Sequence, residues 1–547
     1  MTYLLKYSDV YDDSRKDTIE YLKNIPFEEI KRIIPFKHNN TLRLDNFFSD
    51  NDIQDNVNQR ISKLKYEEID FISDIGYLKI IEIILSQNQN LTNQNIDISE
   101  FEENIFKAFL SINEDLEEKE NFGLQYIMNL GEISPEENFS YSILLNKFIL
   151  ADTESDKNNE DLIKYIYSTV YKLEKLFVFL GKKGLEELKR NLITQFSFND
   201  ESELIQNIHQ LLYTIFIETK IKNSNEFKVI EEKDILFFDS LISDNVQIDE
   251  DFKKLKENPI VKLSDNHYTY FDFLFVVDRF YKGIKFNIIK AFKDDVNLIK
   301  EYGDFFSFYN LEFSEKHLFH SICDDIFKNG NYIVLERKEK EEKFEPDYYV
   351  RNKKSNDIFI FECKDVMIAG KVKESRHLEK LIKALEEKFI TPKGIQQLTL
   401  HIEKIINNEF KFDNKLNYGN SNKIYPILVL CERIFDIHGL NFILNEYYKK
   451  QIRDKLGINY DSARIKDLVI IDIDTLISSK NYLLKNDTNF QEWLDLHISE
   501  MNKKFIPSNS QDENLSKLLK CIAPFSWRKR INLSEEMLNQ FTNYNKA

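Results

Sequence analysis

Glycine and proline are scarce in this chain, and that scarcity constrains its fold more than any other feature. Only 13 glycines and 9 prolines occur among the 547 residues. Both residue types interrupt regular secondary structure and mark turns. A chain with so few of them favours long helices over an all-β fold that needs many tight turns. Because 42% of the residues are hydrophobic, we also expect a substantial core.

Residues 1–300 are predicted to be mostly α-helical. Apolar residues recur there at i, i+3 and i+4, the spacing of amphipathic helices. The clearest segments are 77–87, 103–118, 141–151, 161–181 and 204–218. No fixed repeat period relates them, so a solenoid is not supported. A Pro-led strand signal and an aromatic-rich stretch at 257–300 indicate a bridging segment. We expect this half to be a sensor, a scaffold or an oligomerisation region.

The pattern changes to that of an α/β domain at about residue 305. An amphipathic helix at 313–330 precedes a series of short runs rich in β-branched and aromatic residues, which are typical of strands. The predicted strands are 331–338, 346–352, 358–366, 424–432 and 467–477, and the later helices are 377–389, 393–408 and 489–505. This order predicts a mixed sheet flanked by helices on both faces. A linker and a short basic helical tail are expected at 506–547.

Two carboxylates and a lysine lie at the ends of adjacent predicted strands. Asp347 follows Pro346, and Glu362-Cys363-Lys364 ends the next strand. Because side chains alternate along a strand, Glu362 and Lys364 share one face. Phosphodiester hydrolysis needs an activated water and neutralisation of phosphate charge, which a carboxylate-bound Mg²⁺ or Mn²⁺ supplies. We expect Asp347, Glu362 and the backbone carbonyl of Cys363 to bind the metal, and Lys364 to orient the water and stabilise charge.

This pattern resembles the PD-(D/E)xK nuclease superfamily, which has the restriction-endonuclease-like fold. The resemblance covers about 305–505 and implies that fold for the C-terminal part of the chain. It also implies a metal-binding role for Glu315 on the preceding helix, although an acid near a helix start equally suits the helix dipole. On the following helix it implies a role near the scissile phosphate for Gln397, with Gln396 as the fallback and Lys393 as a nucleic-acid contact.

The resemblance implies a metal-dependent endonuclease that hydrolyses DNA, with Mg²⁺ or Mn²⁺ as cofactor. Large helical regions joined to such cores resemble prokaryotic antiviral or restriction effectors. By that analogy we expect a role in genome defence, with the nuclease regulated by the helical half. We also expect a homo-oligomer or a partner protein to be bound through the helical half.

Two other functions stay open. The first is a catalytically silent protein that uses a nuclease-like fold to dock nucleic acid or protein. The intact set of Asp347, Glu362 and Lys364 argues against it. The second is an RNase on the same core, which only a comparison of substrates separates from a DNase.

The net charge of −18 excludes a chain that binds nucleic acid through an overall basic surface. Any polyanion must bind at a local positive site or through metal ions. The C-terminal tail is one basic, aromatic-bearing stretch, and it contains Lys517, Lys520, Trp527, Arg528, Lys529 and Arg530. It suits phosphate binding, and it equally suits docking on the acidic N-terminal half.

Other polar residues near the motif have simpler interpretations. His317 and His320 are one helical turn apart but lack a third ligand, so packing roles are favoured over a zinc site. Asp365 is expected to be a solvated charge. Asp472 and Asp474 are expected to be loop caps.

The four cysteines are far apart in sequence and show no CxxC spacing. They are expected to be free thiols in a reducing compartment. No stretch has the pattern of a secretory signal, and no run approaches the roughly 18 apolar residues of a membrane helix. The sequence therefore predicts a cytoplasmic protein that does not interact with membranes.

Overall fold

The structure is a computed structural model of the 547-residue chain. It describes residues 3–38, 44–87, 96–196, 198, 200–224, 226–242, 247–328, 330–335, 345–391, 393–416, 419, 422–485 and 489–528. These residues form a mixed α/β protein in which helices predominate. No helix within these ranges is long and apolar enough to cross a membrane.

The chain divides into two compact units that do not follow a boundary at residue 300. The first contains 1–122, 153–159 and 193–284, and the second contains 123–152, 160–192 and 285–547. Residues 123–152 and 160–192, which we expected in a separate helical half, therefore belong to the unit that contains the C-terminal sheet. The α-helices Ile98–Asn129, Glu186–Gln195 and Phe273–Asp294 contribute residues to both units.

The first unit is mostly helical. Its α-helices are Tyr7–Val10, Thr18–Leu22, Ile30–Ile33, Pro35–His38, Asn51–Ile61, Asp74–Gln87, Glu201–Phe216, Glu232–Asp239 and Lys253–Glu257. Strand β1 (Tyr3–Leu4) pairs in parallel with β2 (Ile69–Asp70). A small antiparallel sheet has the order β3 (Phe227–Lys228), β5 (His267–Tyr270), β4 (Ile260–Ser264).

Buried ion pairs connect separate segments of the first unit. Lys37 Nζ lies 2.6 Å from Asp272 Oδ2 and 3.6 Å from Glu154 Oε1. Lys220 Nζ lies 2.5 Å from Glu154 Oε2. The Asp272 carboxylate also accepts from the backbone N–H groups of Glu154 and Leu274. Because a buried charge is costly unless it is paired, these contacts fix the segments against one another.

The second unit contains a five-stranded mixed sheet. Its strands are β6 (Tyr332–Leu335), β7 (Tyr348–Asn352), β8 (Ile358–Lys364), β9 (Ile424–Leu430) and β10 (Val469–Asp472), in the order β10-β9-β8-β7-β6. The β6–β7 and β7–β8 pairs are antiparallel, whereas β8–β9 and β9–β10 are parallel. The prediction of a mixed sheet is therefore confirmed.

Helices cover both faces of this sheet. The unit's main α-helices are Pro135–Lys147, Asn159–Lys182, Val296–Tyr302, His320–Phe327, Gly370–Ser375, Leu378–Leu385, Ile395–Ile406, Leu440–Leu456, Ile473–Lys485, Asn489–Met501 and Gln511–Ile522. On one face, Ile358 and Ile360 pack against the helices Ile395–Ile406 and Leu440–Leu456. On the other, the Phe361 ring contacts Phe327 and Phe490. Strands buried on both faces explain the nearly continuous apolar runs of β9 and β10.

One predicted strand is too long. The run 467–477 is rich in apolar residues, but the strand stops at Asp472 and Ile473–Lys485 is a helix. The Asp472 carboxylate accepts from the Thr475 backbone N–H at 2.9 Å, as an N-cap does. A capping carboxylate thus overrides the apolar pattern.

Candidate active site

The strand register brings the two predicted carboxylates together. Tyr348 of β7 pairs with Phe361 of β8 in antiparallel register. Continuing that register by one residue sets Asp347 beside Glu362. Glu362 and Lys364 lie on the same face of β8, because they are two residues apart.

Lys364 bridges the carboxylates. Its Nζ lies 2.8 Å from Glu362 Oε2 and 3.3 Å from Asp347 Oδ2. Asp347 Oδ2 also accepts from the backbone N–H of Cys363 at 2.8 Å. Glu362 is 0% exposed and Asp347 is 3% exposed. The structure therefore forms the predicted set of Asp347, Glu362 and Lys364 as one buried cluster.

The cluster holds one ammonium for two carboxylates, and the pKa directions reflect that imbalance. Burial and the neighbouring Glu362 raise the pKa of Asp347 well above its usual range. Burial opposes ionisation of Glu362 too, but Lys364 and His401 outweigh it and lower the pKa of Glu362 to about 2. Burial alone would lower the pKa of Lys364, but Glu362 and Asp347 raise it. Lys364 and Glu362 are thus charged at neutral pH, and Asp347 favours a proton or a nearby cation.

Glu315 acts on this cluster electrostatically. Its charge raises the pKa of both Asp347 and Lys364. Glu315 lies on the π-helical stretch Phe308–Phe319, which continues into the α-helix His320–Phe327. Such stretches are rare and frequently lie at functional sites.

The histidines of this helix have packing roles. His320 Nε2 lies 2.8 Å from the backbone oxygen of Asp347, which ties the helix to the start of β7. The His317 ring lies 5.5 Å from that of Phe179, and burial lowers the pKa of His317 to about 4. Across the ranges that the structure describes, no group of three or more His, Cys, Asp or Glu side chains is arranged to hold a metal ion.

Gln397 caps its own helix. Its Oε1 accepts from the Gly394 backbone N–H at 2.9 Å, at the start of the helix Ile395–Ile406. Lys393 is exposed, and the buried Oε1 of Gln396 has no hydrogen-bond partner in the structure. The predicted role of Gln397 near a phosphate thus competes with a capping role that fixes the helix start.

Replacing Gly394 with alanine is expected to destabilise the protein. Gly394 has φ +60°, and an added Cβ would lie 2.5 Å from the backbone oxygen of Phe389. The strained φ alone costs about 1–3 kcal/mol, and displacing the carbonyl adds to it. Gly457→Ala is a matched control, because Gly457 has φ +52° but no atom near an added Cβ. Thermal unfolding should show a larger loss for Gly394→Ala, and equal losses would contradict the steric argument.

His401 is a site residue that the sequence analysis missed. It is 2% exposed, and its Nε2 lies 3.4 Å from Glu362 Oε1. The helix Ile395–Ile406 carries it above β8. The sequence feature that could have identified His401 was its position one helical turn after Gln397, on a helix already assigned to the site.

A second buried ion cluster adjoins the first. Lys285 Nζ lies 3.2 Å from Asp365 Oδ2 and 3.4 Å from Glu432 Oε1. Ser314 Oγ donates to Asp365 Oδ2 at 2.6 Å. Asp365 was expected to be a solvated charge, and that was wrong, because the strand ends and the helix Phe308–Phe319 enclose it. The cluster fixes the ends of β8 and β9 beside Ser314, which directly precedes Glu315 in the sequence.

The ends of β9 and β8 also bring two thiols together. Cys363 Sγ lies 3.6 Å from Cys431 Sγ. Both are free cysteines, as are Cys323 and Cys521. Burial raises the pKa of Cys363, so its side chain packs as a neutral thiol.

Asp472 does more than cap the helix Ile473–Lys485, and Asp474 lies within that helix and not in a loop. Lys164 Nζ lies 3.3 Å from Asp436 Oδ2 and 3.9 Å from Asp472 Oδ1, and Lys172 pairs with Asp474. Burial, and then Asp436, raise the pKa of Asp472 to about 7. Asp472 and Asp474 are thus part of a buried charge network.

Asp472→Asn is expected to stabilise the protein most at alkaline pH. The pKa of Asp472 is about 7 in the folded state and near 3.8 when unfolded, so the folded state binds the proton more tightly. The stability that this tighter proton binding gives the folded state is fully present below pH 3.8 and is lost as the pH rises through 7. An asparagine stays neutral, so the gain should approach roughly 2–4 kcal/mol at pH 8 and shrink by pH 4. Melting temperatures at several pH values measure this, with exposed Asp454→Asn as the control. A gain independent of pH would contradict the argument.

The basic tail is only partly described. The helix Phe525–Arg528 is present, and the Trp527 ring lies 5.6 Å from that of His438. The Arg528 side chain, Lys529 and Arg530 lie outside the described residues, so their predicted contact with nucleic acid is untested.

The donor set fits a hard divalent cation. Asp347 and Glu362 offer carboxylate oxygens, the ligands that Mg²⁺ and Mn²⁺ prefer. Glu362 Oε1 is buried without a hydrogen-bond partner, and Lys364 balances only one of the two carboxylates. A cation at this point would complete the charge balance.

Comparison with known proteins gives one weak similarity. The chain is 24% identical over 606 aligned positions to the CRISPR-associated endoribonuclease Cas13a of Leptotrichia shahii. The alignment covers 96% of this chain but only 41% of that protein, so the chain spans less than half its length. No protein-family model matches the chain, and no solved structure is significantly similar to it.

Proposed function

We propose that this protein is a metal-dependent nuclease that hydrolyses phosphodiester bonds at the cluster of Asp347, Glu362 and Lys364. The observation that carries the proposal is the contact of Lys364 with the two buried carboxylates, Asp347 and Glu362, where β7 begins and β8 ends. Buried like charges are expensive to fold, and they cluster where function requires them. The resemblance to the PD-(D/E)xK superfamily and its restriction-endonuclease-like fold is part of this proposal.

The roles follow from charge and position. Asp347 and Glu362 would hold Mg²⁺ or Mn²⁺, with the Cys363 backbone carbonyl as a third ligand and Glu315 nearby. When bound, such an ion lowers the pKa of water and neutralises phosphate charge. Glu362 and Asp347 raise the pKa of Lys364, which favours its role as a hydrogen-bond donor. It donates hydrogen bonds that orient the attacking water and stabilise charge on the phosphate.

RNA is the substrate that we favour. The similarity to an endoribonuclease supports it over DNA, whereas only the motif resemblance supports DNA. The same relative is named as CRISPR-associated, and by analogy we propose a role in antiviral defence. An RNase on this core is thus preferred to the DNase that the sequence first suggested.

A paired cleavage assay tests both points. The full chain is incubated with RNA and DNA oligonucleotides of one sequence, single-stranded and double-stranded, with Mg²⁺ or Mn²⁺. We expect RNA cleavage that Asp347→Asn abolishes and that Asp454→Asn, an exposed control, leaves intact. Cleavage of DNA alone would reverse the substrate assignment, and cleavage that survives Asp347→Asn would place the active site elsewhere. Metal-independent binding without cleavage would favour the silent scaffold.

We also propose that segments outside the nuclease core restrain its activity or bind a partner, because an unregulated nuclease endangers its host. Cleavage by the full chain should then respond to an added activator or to oligomeric state. Constitutive cleavage at full rate by the monomer would contradict this.

A further inference from the structure

His401 faces the candidate active site from the helix above it. The apolar residues of that helix, including Leu398 and Ile402, pack on the face of β8 that carries Glu362. That packing fixes the helix and buries His401 beside Glu362.

Two buried atoms at this contact lack hydrogen-bond partners. His401 Nε2 and Glu362 Oε1 are 3.4 Å apart. Neither atom has a hydrogen-bond partner in the structure, and the same holds for His401 Nδ1. Buried polar atoms nearly always form hydrogen bonds, so this pair requires an explanation.

We propose that His401 Nε2 and Glu362 Oε1 are ligands of the same divalent cation, and that the imidazole makes the site prefer Mn²⁺ to Mg²⁺. This inference rests on the proposed function, which assigns Glu362 to the metal. It adds a nitrogen ligand that the motif does not contain. Within the described residues no three such side chains are already arranged around an ion, so the bound ion would draw His401 and Glu362 into place.

The spacing fits two ligands of one ion. Adjacent ligands of an octahedral ion, each about 2.1 Å from the metal, are about 3.0 Å apart. The separation of 3.4 Å is close to that value, and the pair does not form a hydrogen bond that would satisfy it. Lys364 contacts the other oxygen of Glu362, Oε2, so the ammonium does not neutralise Oε1 directly.

The chemical type of the ligands determines which metal ion the site prefers. Mg²⁺ takes oxygen ligands and retains its waters. Imidazole nitrogen suits first-row transition ions, and Mn²⁺ accepts carboxylates as readily as Mg²⁺ does. A mixed carboxylate and imidazole site therefore selects Mn²⁺ over Mg²⁺.

The test uses Mn²⁺ alone with the full chain. Pulsed electron paramagnetic resonance of bound Mn²⁺ should show coupling to a ligand nitrogen. That coupling should change when the protein is labelled with ¹⁵N-histidine. This readout needs neither a variant nor catalytic activity.

Variants then identify the histidine that supplies the ligand nitrogen. His401→Gln should remove the coupling and weaken Mn²⁺ binding by about 10–100-fold, with a smaller effect on Mg²⁺. His497→Gln is the matched control, because His497 is also buried in this unit but contacts Asn441. It should change neither affinity.

The outcomes separate the two proposals. Bound Mn²⁺ without nitrogen coupling, or equal losses of Mn²⁺ and Mg²⁺ affinity in His401→Gln, would overturn the role of His401. In that case cleavage that still depends on Asp347 would leave the proposed function intact. Nitrogen coupling without any cleavage would support His401 and count against the nuclease. Absence of Mn²⁺ binding would overturn the role of His401, and absence of Mg²⁺ binding as well would also overturn the metal-dependent nuclease.

Discussion

Lys364→Met is expected to reduce nucleic-acid cleavage by roughly 10²–10³-fold, the effect of removing one charge-stabilising donor from an active site. Lys364 is the ammonium that contacts both Asp347 and Glu362. Methionine keeps much of the side-chain volume but supplies neither charge nor hydrogen bonds. The substitution therefore removes a charged hydrogen-bond donor from the cluster.

The measurement is the single-turnover cleavage rate of the full chain with saturating substrate and metal. Lys354→Met is the matched control, because Lys354 is exposed in the turn between β7 and β8. It should cleave at the wild-type rate. A similar rate in Lys364→Met, with metal binding preserved, would exclude a catalytic role for the ammonium.

The parts of the fold that could be predicted depend on local patterns. The sheet strands are short apolar runs between polar turns, so their positions follow from the sequence. Asp347 and Glu362 meet because β7 and β8 are joined by a short hairpin, which fixes their register. A motif carried by two strands of one hairpin can therefore be recognised from the order of its residues alone.

What could not be predicted depends on contacts between distant segments. His401 reaches Glu362 only because its helix packs across β8. Asp365 is buried only because Lys285 and Ser314 approach it from elsewhere in the chain. The end of β10 is set by one capping carboxylate, Asp472, within a run rich in apolar residues. The boundary between units likewise follows packing and not the change in sequence pattern.

The similarity to Cas13a and the PD-(D/E)xK resemblance support different parts of the function. Cas13a is an endoribonuclease by name, but the similarity to it gives no catalytic residues. The motif gives catalytic residues, but it leaves the nucleic acid open. The geometry of Asp347, Glu362 and Lys364 is compatible with either substrate, because all three act on a phosphodiester.

Lys285→Met is expected to destabilise the second unit by about 3–5 kcal/mol, the usual cost of removing one partner of a buried ion pair. Lys285 is the ammonium that faces both Asp365 and Glu432. Those carboxylates raise its pKa against the effect of burial. Without it, two buried carboxylates face each other, with the Ser314 hydroxyl still donating to Asp365.

Urea unfolding of the transition that includes the sheet measures the loss. Lys290→Met is the control, because Lys290 is exposed on the same helix, Phe273–Asp294. Asp365→Asn and Glu432→Gln, added together to Lys285→Met, should recover part of the loss at pH 7.5. A loss that the added changes do not reduce would show that Lys285 acts through packing of its side chain and not through its charge.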